Sequence, residues 1–331
     1  SIGNSSIAIR LLGGFLFVGQ VIARAAFRRR VDAIVVSTSP PVGALGGVVL
    51  SKIHRAPLKY WVMDVNPDQT VALGKLSADS AFVRVFDAIN RIVLRRARDV
   101  IVLDHFMAQR INLKLNVCDK LAVIPPWPAE EPAEVISHDR NPFRRAHGLD
   151  GKVVVMYSGN HGPSNPLTTI IEAAKRITDD PRLVLMFVGG GIGKIEVDRA
   201  VSNTIRSLPY QPRQELRHSL AAADVHLVTV GDDIPGIVHP SKVYGAMAVA
   251  RPILLLGPER NHVADILGRA DIGWHVRHGD IDAAETALRS ILAMGAATLS
   301  AKGQRAREML DETGGRKGVC ARLCDVLEAG L

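Results

Sequence analysis

The chain has 331 residues, of which 47% are hydrophobic and 22% charged, with a formal net charge of +8. This composition is ordinary for a folded protein, and the length is sufficient for two domains with separate cores. Three cysteines (Cys118, Cys320 and Cys324) are too few for a disulfide framework, and their spacing does not indicate a metal site. A reducing, cytoplasmic setting is therefore expected.

The positive charge is concentrated in the first part of the chain. Residues 1–127 contain 17 Lys and Arg against 8 Asp and Glu, a net of +9, whereas the remainder contains 24 against 25, a net of −1. Nucleic acid, anionic lipid and an anionic small molecule are all candidate partners for the basic part. Because only 5% of residues are aromatic and they do not alternate with basic residues, a nucleic-acid partner is not expected.

The N-terminal stretch at residues 7–27 is largely apolar and is followed by three arginines at 28–30. Its arginine-free core, residues 11–23, is 13 residues long, which is too short to cross about 30 Å of hydrocarbon as a helix. The pattern favours a buried or interfacial helix with a basic end over a spanning helix. It also lacks the cleavage pattern of a signal peptide.

Along the rest of the chain, short apolar runs alternate with helical segments. Continuous apolar runs are typical of strands buried on both faces, so parallel sheets in an α/β protein are predicted. The predicted strands are residues 33–37, 58–63, 100–103, 121–124, 153–157, 183–188, 225–230 and 253–256. The predicted helices are residues 43–55, 81–97, 107–113, 167–178, 213–222, 241–249 and 283–294, with a helical tail over 297–331 that is interrupted at Gly314.

A domain boundary is expected at residues 125–132, where four of eight residues are proline and neither helix nor central strand can form. We therefore predict a first domain at residues 1–127 and a linker at 128–142. A second domain follows at residues 143–310, with a helical tail at 311–331.

Four loops of the second domain are expected to meet at the carboxyl edge of its sheet, where α/β proteins bind ligands: residues 158–163, 189–193, 208–212 and 232–242. The two glycines of the first loop would let the backbone approach a ligand, although they serve a tight turn equally well. The second loop does not match GxGxxG, which disfavours a nicotinamide site. Tyr210 in the third loop either stacks on a base or covers the edge of the core.

The strongest functional pattern is residues 239–252 (HPSKVYGAMAVARP), a polar turn followed by a short apolar helix and then by Pro252. Free N–H groups at the start of such a helix, together with the Lys242 ammonium, favour an anion such as a diphosphate. A capped helix with a surface lysine is the alternative interpretation.

Several motifs in both parts of the chain resemble those of a known family. The segments at 155–162 (VMYSGNHG), 187–191 (FVGGG), 208–216 (LPYQPRQEL), 221–228 (AAADVHLV) and 240–245 (PSKVYG) resemble the donor half of family-4 glycosyltransferases of the GT-B fold, of the WbuB-like bacterial surface-polysaccharide subgroup. The segments at 37–41 (STSPP), 64–74 (DVNPDQTVALG) and 123–127 (VIPPW) resemble the acceptor side and the domain crossing of that subgroup.

The resemblance implies two Rossmann-like domains facing a cleft, and transfer of a sugar from a nucleotide diphosphate sugar, with retention and without a metal or other cofactor. The implied acceptor is a glycan or an undecaprenyl-linked intermediate, and residues 7–30 would lie on the anionic inner face of the inner membrane. Relative to the family, the chain is expected to be N-terminally incomplete, beginning about 70–80 residues into the first domain and lacking its first strands.

The resemblance also implies roles for individual residues. Lys242 and backbone N–H groups at Gly159 and Asn160 would neutralise the leaving diphosphate, while Pro209 and Tyr210 would bound the base. Asp64, expected to be catalytic, and Asp68 would hold the acceptor hydroxyl or donor sugar; helix capping is the alternative for both. The other residues expected to bind substrate are His161, Gly162, Gly190, Gln211, Pro240, Ser241 and Tyr244.

Two residues depart from the family pattern. Gly245 stands where the wider family has a ribose-binding glutamate, although the subgroup commonly has glycine. Ala250 stands where the family has a helix-ending glycine, and a positive φ there would cost alanine about 1 kcal/mol. Two alternatives to a transferase are a truncated donor-binding remnant without activity and a sugar-nucleotide epimerase of similar fold. Acidic residues are sparse in the loops, which disfavours the epimerase.

Overall fold

The computed structural model describes residues 7–28, 31–40, 42–132 and 134–330. The chain divides into two compact units. Unit 1 comprises the described residues within Ser1–Pro126, Gly236–His239 and Val319–Leu331, and unit 2 comprises those within Trp127–Pro235 and Pro240–Gly318. Each unit contains one sheet whose strands are all parallel, so the predicted α/β class with two parallel sheets is confirmed.

Unit 1 contains a four-stranded sheet in the order β1-β2-β3-β4. Its strands are buried because helices cover them, and the side chains of Leu58, Val100 and Val102 are almost fully buried. The elements are α1 (Ile7–Ala25), β1 (Ile34–Ser37), α2 (Gly43–His54), β2 (Leu58–Trp61), α3 (Asp68–Ala72), α4 (Ala81–Arg96), β3 (Asp99–Val102), α5 (His105–Lys114) and β4 (Leu121–Val123).

Helix α1 packs on α2 through small residues. A side chain at Gly46 would lie 3.0 Å from the Val18 side chain, so glycine lets the two helices approach closely. Leu16 and Phe17, in contrast, are 60% and 51% exposed. Among the described residues, no helix combines the length and apolarity needed to cross a bilayer.

Two distant segments complete unit 1. Residues Gly236–His239 add an antiparallel bridge between Val238 and Asp64, and the Val65 N–H donates to the Ile237 carbonyl (2.9 Å). The imidazole of His239 bonds the buried carboxylate of Asp104 at 2.6 Å. The sequence pattern did not indicate this placement, because it predicted that all of the loop at 232–242 belongs to the second domain.

Unit 2 contains a six-stranded sheet in the order β10-β9-β8-β5-β6-β7. The order reverses between β5 and β8, which defines a doubly wound sheet with its switch point there. The elements are α6 (Pro142–Ala146), β5 (Val153–Asn160), α7 (Thr168–Arg176), β6 (Leu183–Gly190), α8 (Lys194–Arg199), β7 (Ile205–Leu208), α9 (Leu216–Ala221), β8 (Val225–Thr229), α10 (Lys242–Ala248), β9 (Ile253–Leu256), α11 (His262–Leu267), β10 (Gly273–Val276), α12 (Ile281–Ala293) and α13 (Ala296–Glu312).

The C-terminal helix α14 (Gly315–Glu328) ends on unit 1. The buried Lys59 ammonium donates to the carbonyls of Val326 (3.0 Å) and Ala329 (2.9 Å) and pairs with Asp99 (2.5 Å). A cation at these last carbonyls satisfies acceptors that the helix leaves free. The sequence predicted a helical tail but not which residues hold its end.

A crevice forms at the switch point of unit 2 because β5 and β8 pair only briefly. Only Val155 and Met156 of β5 pair with β8, whereas β5 continues alongside β6 as far as Asn160. Beyond Met156 the two strands therefore diverge at their carboxyl ends. Such a crevice is the usual ligand site of an open α/β sheet.

The structure differs from the predicted elements mainly at edges. The edge strands β7 and β10 and the short helices α3, α8 and α11 were not predicted, because each is short and has no sustained apolar run. Strands β5 and β6 extend two or three residues beyond the predicted ends and include the glycines at 159 and 190. Because of these glycines we predicted that both strands end before them, but strand pairing continues through both positions.

Candidate active site

A cavity of about 680 Å³ opens at the switch-point crevice of unit 2. The ends of β5, β6 and β8 form its floor, α9 and α10 form its sides, and the loop after β7 and the segment at 127–129 border it. All of its lining residues are in the described part of unit 2, and none of them is Asp or Glu: Trp127, Ala129, Ser158, Gly159, Val188, Tyr210, Gln211, Arg213, Leu216, Leu220, His226, Leu227, Val228, Ser241, Lys242 and Gly245.

Lys242, the first residue of α10, places a cation in this cavity. Its Nζ lies 5.0 Å from the centre of the Tyr157 ring, a cation–π distance. Burial lowers the pKa of the Lys242 ammonium to about 8, and no described carboxylate contributes an opposing charge. A largely buried ammonium without an ionic partner among the described residues is unfavourable on its own and is well matched to an anionic ligand.

Gly159 provides the space for the Lys242 side chain. A Cβ at position 159 would lie 2.7 Å from Cε of Lys242, and φ is +135° there, so glycine is required twice over. Both Gly159 and Asn160 pair with β6, opposite Gly189 and Gly190. Part of the backbone that the sequence analysis assigned to the diphosphate is therefore used in the sheet, and Gly159 acts as the surface under the lysine.

The glycine-rich loop at 189–193 packs backbone against backbone. A Cβ at Gly189 would lie 1.9 Å from the Gly159 carbonyl oxygen, and one at Gly191 would lie 2.8 Å from that of His161. The His161 N–H donates to the Gly190 carbonyl at 2.7 Å. Glycine is thus needed here for the close approach of two loops.

His161 is fully buried and does not line the cavity. Its ring lies 5.0 Å from that of Tyr157 and 6.1 Å from that of Phe187, and its Nδ1 is 3.3 Å from the Gly190 carbonyl oxygen. Burial lowers its pKa, which keeps the ring neutral. This placement favours a supporting role for His161 beneath the floor over contact with substrate. Gly162 likewise lies outside the lining residues, next to the Asn160 side chain.

Tyr210 and Gln211 line the cavity as predicted. The Tyr210 ring lies on Gly190, where a Cβ would be 3.0 Å from Cε2, and its hydroxyl donates to the Gly190 carbonyl at 3.4 Å. Gln211 donates to the Pro209 carbonyl (3.0 Å), which stiffens this turn. The ring is exposed and available for stacking, while Gly190 and Pro209 support the turn without lining the cavity.

Ser241 lines the cavity beside Lys242, whereas Pro240 precedes it and is not among the lining residues. Tyr244 is directed elsewhere: it is buried, and its hydroxyl bonds Nε2 of His262 at 2.7 Å. This geometry favours a packing role for Tyr244 over contact with substrate, because two residues along a helix rotate its side chain about 200° away from that of Lys242.

In unit 1, Asp64 follows β2 and its backbone N–H donates to the Thr38 hydroxyl at 3.1 Å. The Asp64 side chain caps no helix, and it borders a small cavity of about 10 Å³ with Asn66 and Asn90. Burial raises its pKa. A partly buried carboxylate of this kind retains the capacity to accept or hold a hydroxyl proton.

The carboxylate of Asp68 forms ion pairs with two basic residues. Its carboxylate lies 2.7 Å from Nε of Arg110 and 2.5 Å from Nζ of Lys114 on α5, and Lys114 also bonds Asp87. These contacts tie α3 to α5 within unit 1. Since both of its oxygens face cations, the structure favours this ion-pairing role for Asp68 over contact with substrate.

The sequence analysis missed several lining residues. Trp127 and Ala129 come from the proline-rich segment, and Arg213 follows the Tyr210 turn with its Nε 3.9 Å from Glu130 Oε1. His226 lies on β8, where its Nε2 bonds the Leu220 carbonyl at 2.9 Å and burial lowers its pKa to about 4. The one signal for His226 in the sequence is that it is a polar residue within the otherwise apolar run of β8.

The end of α10 confirms the expectation for Ala250. Its φ is +53°, and the helix closes with the Arg251 N–H bonding the Ala246 carbonyl (3.1 Å) and the Ala250 N–H bonding the Met247 carbonyl (3.0 Å). This is a Schellman motif, in which glycine is the usual residue at the position of Ala250. Gly245, where the wider family has a ribose-binding glutamate, lies in the cavity wall.

Comparison with known proteins agrees with this architecture. No protein-family model matches the chain. The probable glycosyltransferase WbjE of Pseudomonas aeruginosa is 27% identical over 278 residues, which cover 82% of this chain and 68% of WbjE. WcaI of Escherichia coli (strain K12), assigned as a colanic acid biosynthesis glycosyl transferase, is 27% identical over 214 residues, covering 62% of this chain and 52% of WcaI.

Both relatives are glycosyltransferases. The predicted resemblance and the predicted enzyme class are thereby confirmed. The crystal structure of Anabaena Alr3699/HepE in complex with UDP-glucose matches with a TM-score of 0.72 at 14% identity, covering 94% of this chain and 82% of HepE. At that identity the match shows the fold alone, and it confirms the predicted GT-B fold. The chain spans about two thirds of the length of WbjE and about half of that of WcaI.

Proposed function

We propose that this chain transfers a sugar from a nucleoside diphosphate sugar to a glycan or lipid-linked acceptor in the synthesis of a cell-surface polysaccharide. One observation carries the proposal: the largely buried ammonium of Lys242, which forms no ion pair with a described residue, faces a cavity at the switch point of a doubly wound sheet. UDP-glucose in HepE and colanic acid biosynthesis in WcaI indicate the same donor and product classes.

The chemistry of the cavity matches a departing diphosphate. As the glycosidic bond breaks, its electron pair and negative charge move to the diphosphate oxygen, and a fixed cation stabilises that charge most effectively in a site of low polarity. Lys242 supplies this cation from above Gly159. Because the lining residues contain no carboxylate and carry their own cation, we propose metal-independent transfer, with no cofactor besides the donor.

The apolar part of the cavity lining is suited to the nucleoside. Leu216, Leu220 and Val228 give it apolar walls, and the exposed ring of Tyr210 offers a stacking surface at its edge. Aromatic stacking contributes about 1–3 kcal/mol per base and tolerates different bases. Gly245 leaves room along α10, since a Cβ there would meet only the Leu220 side chain at 3.9 Å.

On the acceptor side, we propose that Asp64 orients the acceptor hydroxyl and receives its proton. Its carboxylate is partly buried and its pKa is raised by burial, so its basicity exceeds that of an exposed aspartate. Membership of glycosyltransferase family 4 and retention at the anomeric carbon follow from the motif resemblance and are part of the same proposal. The anomeric configuration of the product, read by NMR, tests retention.

We further propose that α1 rests on the inner face of an anionic membrane. Leu16, Phe17 and Phe27 expose apolar surface, Arg24 and Arg28 lie among them, and residues 1–31 contain no Asp or Glu. Apolar insertion and roughly 1 kcal/mol per basic residue favour such a surface.

Liposome sedimentation tests the membrane proposal. Protein should co-sediment with phosphatidylglycerol vesicles at low salt but not with phosphatidylcholine vesicles. Replacing Leu16 and Phe17 by Ser should abolish sedimentation, whereas Val85→Ser, at an equally exposed apolar site on α4, should not. Equal sedimentation of wild type with both vesicle types would contradict the proposal.

Calorimetric titration with UDP, GDP and dTDP tests the donor site. We expect micromolar to millimolar binding of at least one of them, and loss of a buried charge-assisted contact in Lys242→Met should weaken it by at least about tenfold. Lys175→Met, at an exposed lysine on α7, is the control that should bind as wild type. If wild type binds none of the three, the donor proposal is wrong. Binding without transfer to any lipid-linked acceptor would favour the donor-binding remnant.

A further inference from the structure

Arg307, on α13, joins two separate segments of unit 2. Its Nη1 donates to the carbonyl oxygens of Ala248 (2.7 Å) and Pro132 (3.1 Å), while its Nε pairs with Asp311 one turn further along the helix (3.1 Å). The side chain is largely buried. One guanidinium nitrogen thus satisfies carbonyls from two parts of the chain that are far apart in sequence.

The first carbonyl belongs to the helix that carries Lys242. Ala248 is the last residue of α10, which has only seven residues and no side-chain cap at Ser241. Such a short helix depends on its neighbours for its position. Helix α13 provides the support: a Cβ at Gly303 would lie 2.0 Å from the Ala250 carbonyl oxygen, so the two backbones are in direct contact just below Arg307.

The second carbonyl belongs to the segment that brings Trp127 and Ala129 to the cavity. We call residues 127–132 the strap. Prolines at 128 and 132 remove two of its N–H groups, so the strap is held chiefly through its acceptors. A further anchor is Glu131, whose carboxylate accepts a hydrogen bond from the Arg316 N–H at 3.1 Å. Arg307 therefore links one wall of the cavity, α10, to another, the strap.

We propose that Arg307 is a positioning residue for donor binding: by holding the end of α10 and the strap together, it sets the spacing between Lys242 and Trp127 across the donor cavity. Arg307 itself does not line the cavity. The proposal rests on the donor site proposed above. It extends that site to a residue more than 60 positions along the chain, on a helix that the motifs do not include.

The decisive variant is Arg307→Lys. Lysine keeps the charge, but its side chain ends one bond short of the Nη1 position, so its ammonium cannot reach both carbonyls at hydrogen-bond distance without moving the segments. We expect the Kd for UDP, measured by calorimetric titration, to rise by roughly tenfold, comparable to the loss of one charge-assisted hydrogen bond.

Two controls separate positioning from general stability. Asp311→Asn removes the ion pair of Arg307 but leaves both carbonyl contacts, so its Kd for UDP should stay within about twofold of wild type. Leu310→Val shortens a buried side chain of the same helix and leaves the hydrogen bonds of Arg307 in place, so it should lower Tm while leaving the Kd unchanged.

A spectroscopic measurement reports on the strap directly. In a background with Trp61→Phe and Trp274→Phe, Trp127 is the remaining tryptophan. Arg307→Lys should increase the quenching of its fluorescence by acrylamide, and Leu310→Val should not.

If Arg307→Lys binds UDP as wild type does, or if Leu310→Val weakens binding equally, the positioning role is wrong while the donor site stands. If wild type does not bind any nucleoside diphosphate, it is the proposed function that fails.

Discussion

Replacing Lys242 by methionine should increase the stability of the folded protein while weakening its binding of the nucleotide. The Lys242 ammonium is buried without an ionic partner, and burial lowers its pKa from 10.5 to about 8. A group that is unfavourable for folding persists when function needs it, since binding sites store such strain. Methionine has a similar length, fills the space over Gly159 and carries no charge.

The size of the effect follows from the pKa. One pKa unit corresponds to about 1.4 kcal/mol of difference between the two protonation states, so a decrease from 10.5 to about 8 corresponds to about 3 kcal/mol. The lysine retains part of its exposure, and solvent screening reduces this figure. We therefore expect Lys242→Met to increase the free energy of unfolding of unit 2 by about 2 kcal/mol at pH 7.

The pH dependence gives a second, independent signature. Below pH 8 Lys242 is protonated in both the folded and unfolded states, so the full penalty is present. Between pH 8 and about 10.5 the unfolded chain binds more protons than the folded one, so wild-type stability rises with pH through this residue. The difference between Lys242→Met and wild type should therefore be largest below pH 8 and should vanish near pH 10.5.

Urea unfolding in a Trp61→Phe background measures the stability of unit 2, because the remaining tryptophans, Trp127 and Trp274, both belong to it. Curves at pH 7 and pH 9.5 for wild type, Lys242→Met and Lys175→Met provide the comparison. A destabilised Lys242→Met at pH 7, or a difference from wild type that does not shrink at pH 9.5, would refute the reasoning. Lys175→Met, at an exposed site, should change stability by less than about 0.5 kcal/mol.

Substitutions at three further positions test the packing around α10. Gly245→Ala should stabilise unit 2 by about 0.5–1 kcal/mol, through helix propensity, and keep UDP binding, because a methyl there meets only Leu220; a raised Kd would show that the space is needed. Gly303→Ala should lower stability by about 2–3 kcal/mol in urea unfolding, because its Cβ would clash with the backbone at Ala250, and an unchanged midpoint would contradict that contact. Ala250→Gly should change the free energy of unfolding by less than about 1 kcal/mol, because relief of the positive φ offsets the loss of a buried methyl group. Ala250→Val should lower it by more than about 2 kcal/mol, because a β-branched residue tolerates a positive φ poorly. Equal effects of the two substitutions would argue against the left-handed conformation.

The sequence by itself determined the central part of this protein. Strands β5, β6, β8 and β9 are continuous apolar runs, and a chain that alternates such runs with helices can bury them only in parallel sheets. Once these strands are parallel, their following loops share one edge. The placement of Lys242, Tyr210, Gln211 and Ser241 at a common cavity follows from that topology.

Tertiary structure alone decided what each neighbouring side chain does. Asp68 is neutralised by Arg110 and Lys114, which come from a different helix, and His161 is covered by Phe187 from the adjacent strand. Trp127 reaches the cavity because the strap is held by distant parts of the chain. The periodicity of apolar residues indicates whether a segment forms a helix or a strand. Burial and ionic pairing, in contrast, depend on residues that come into contact only after the chain has folded.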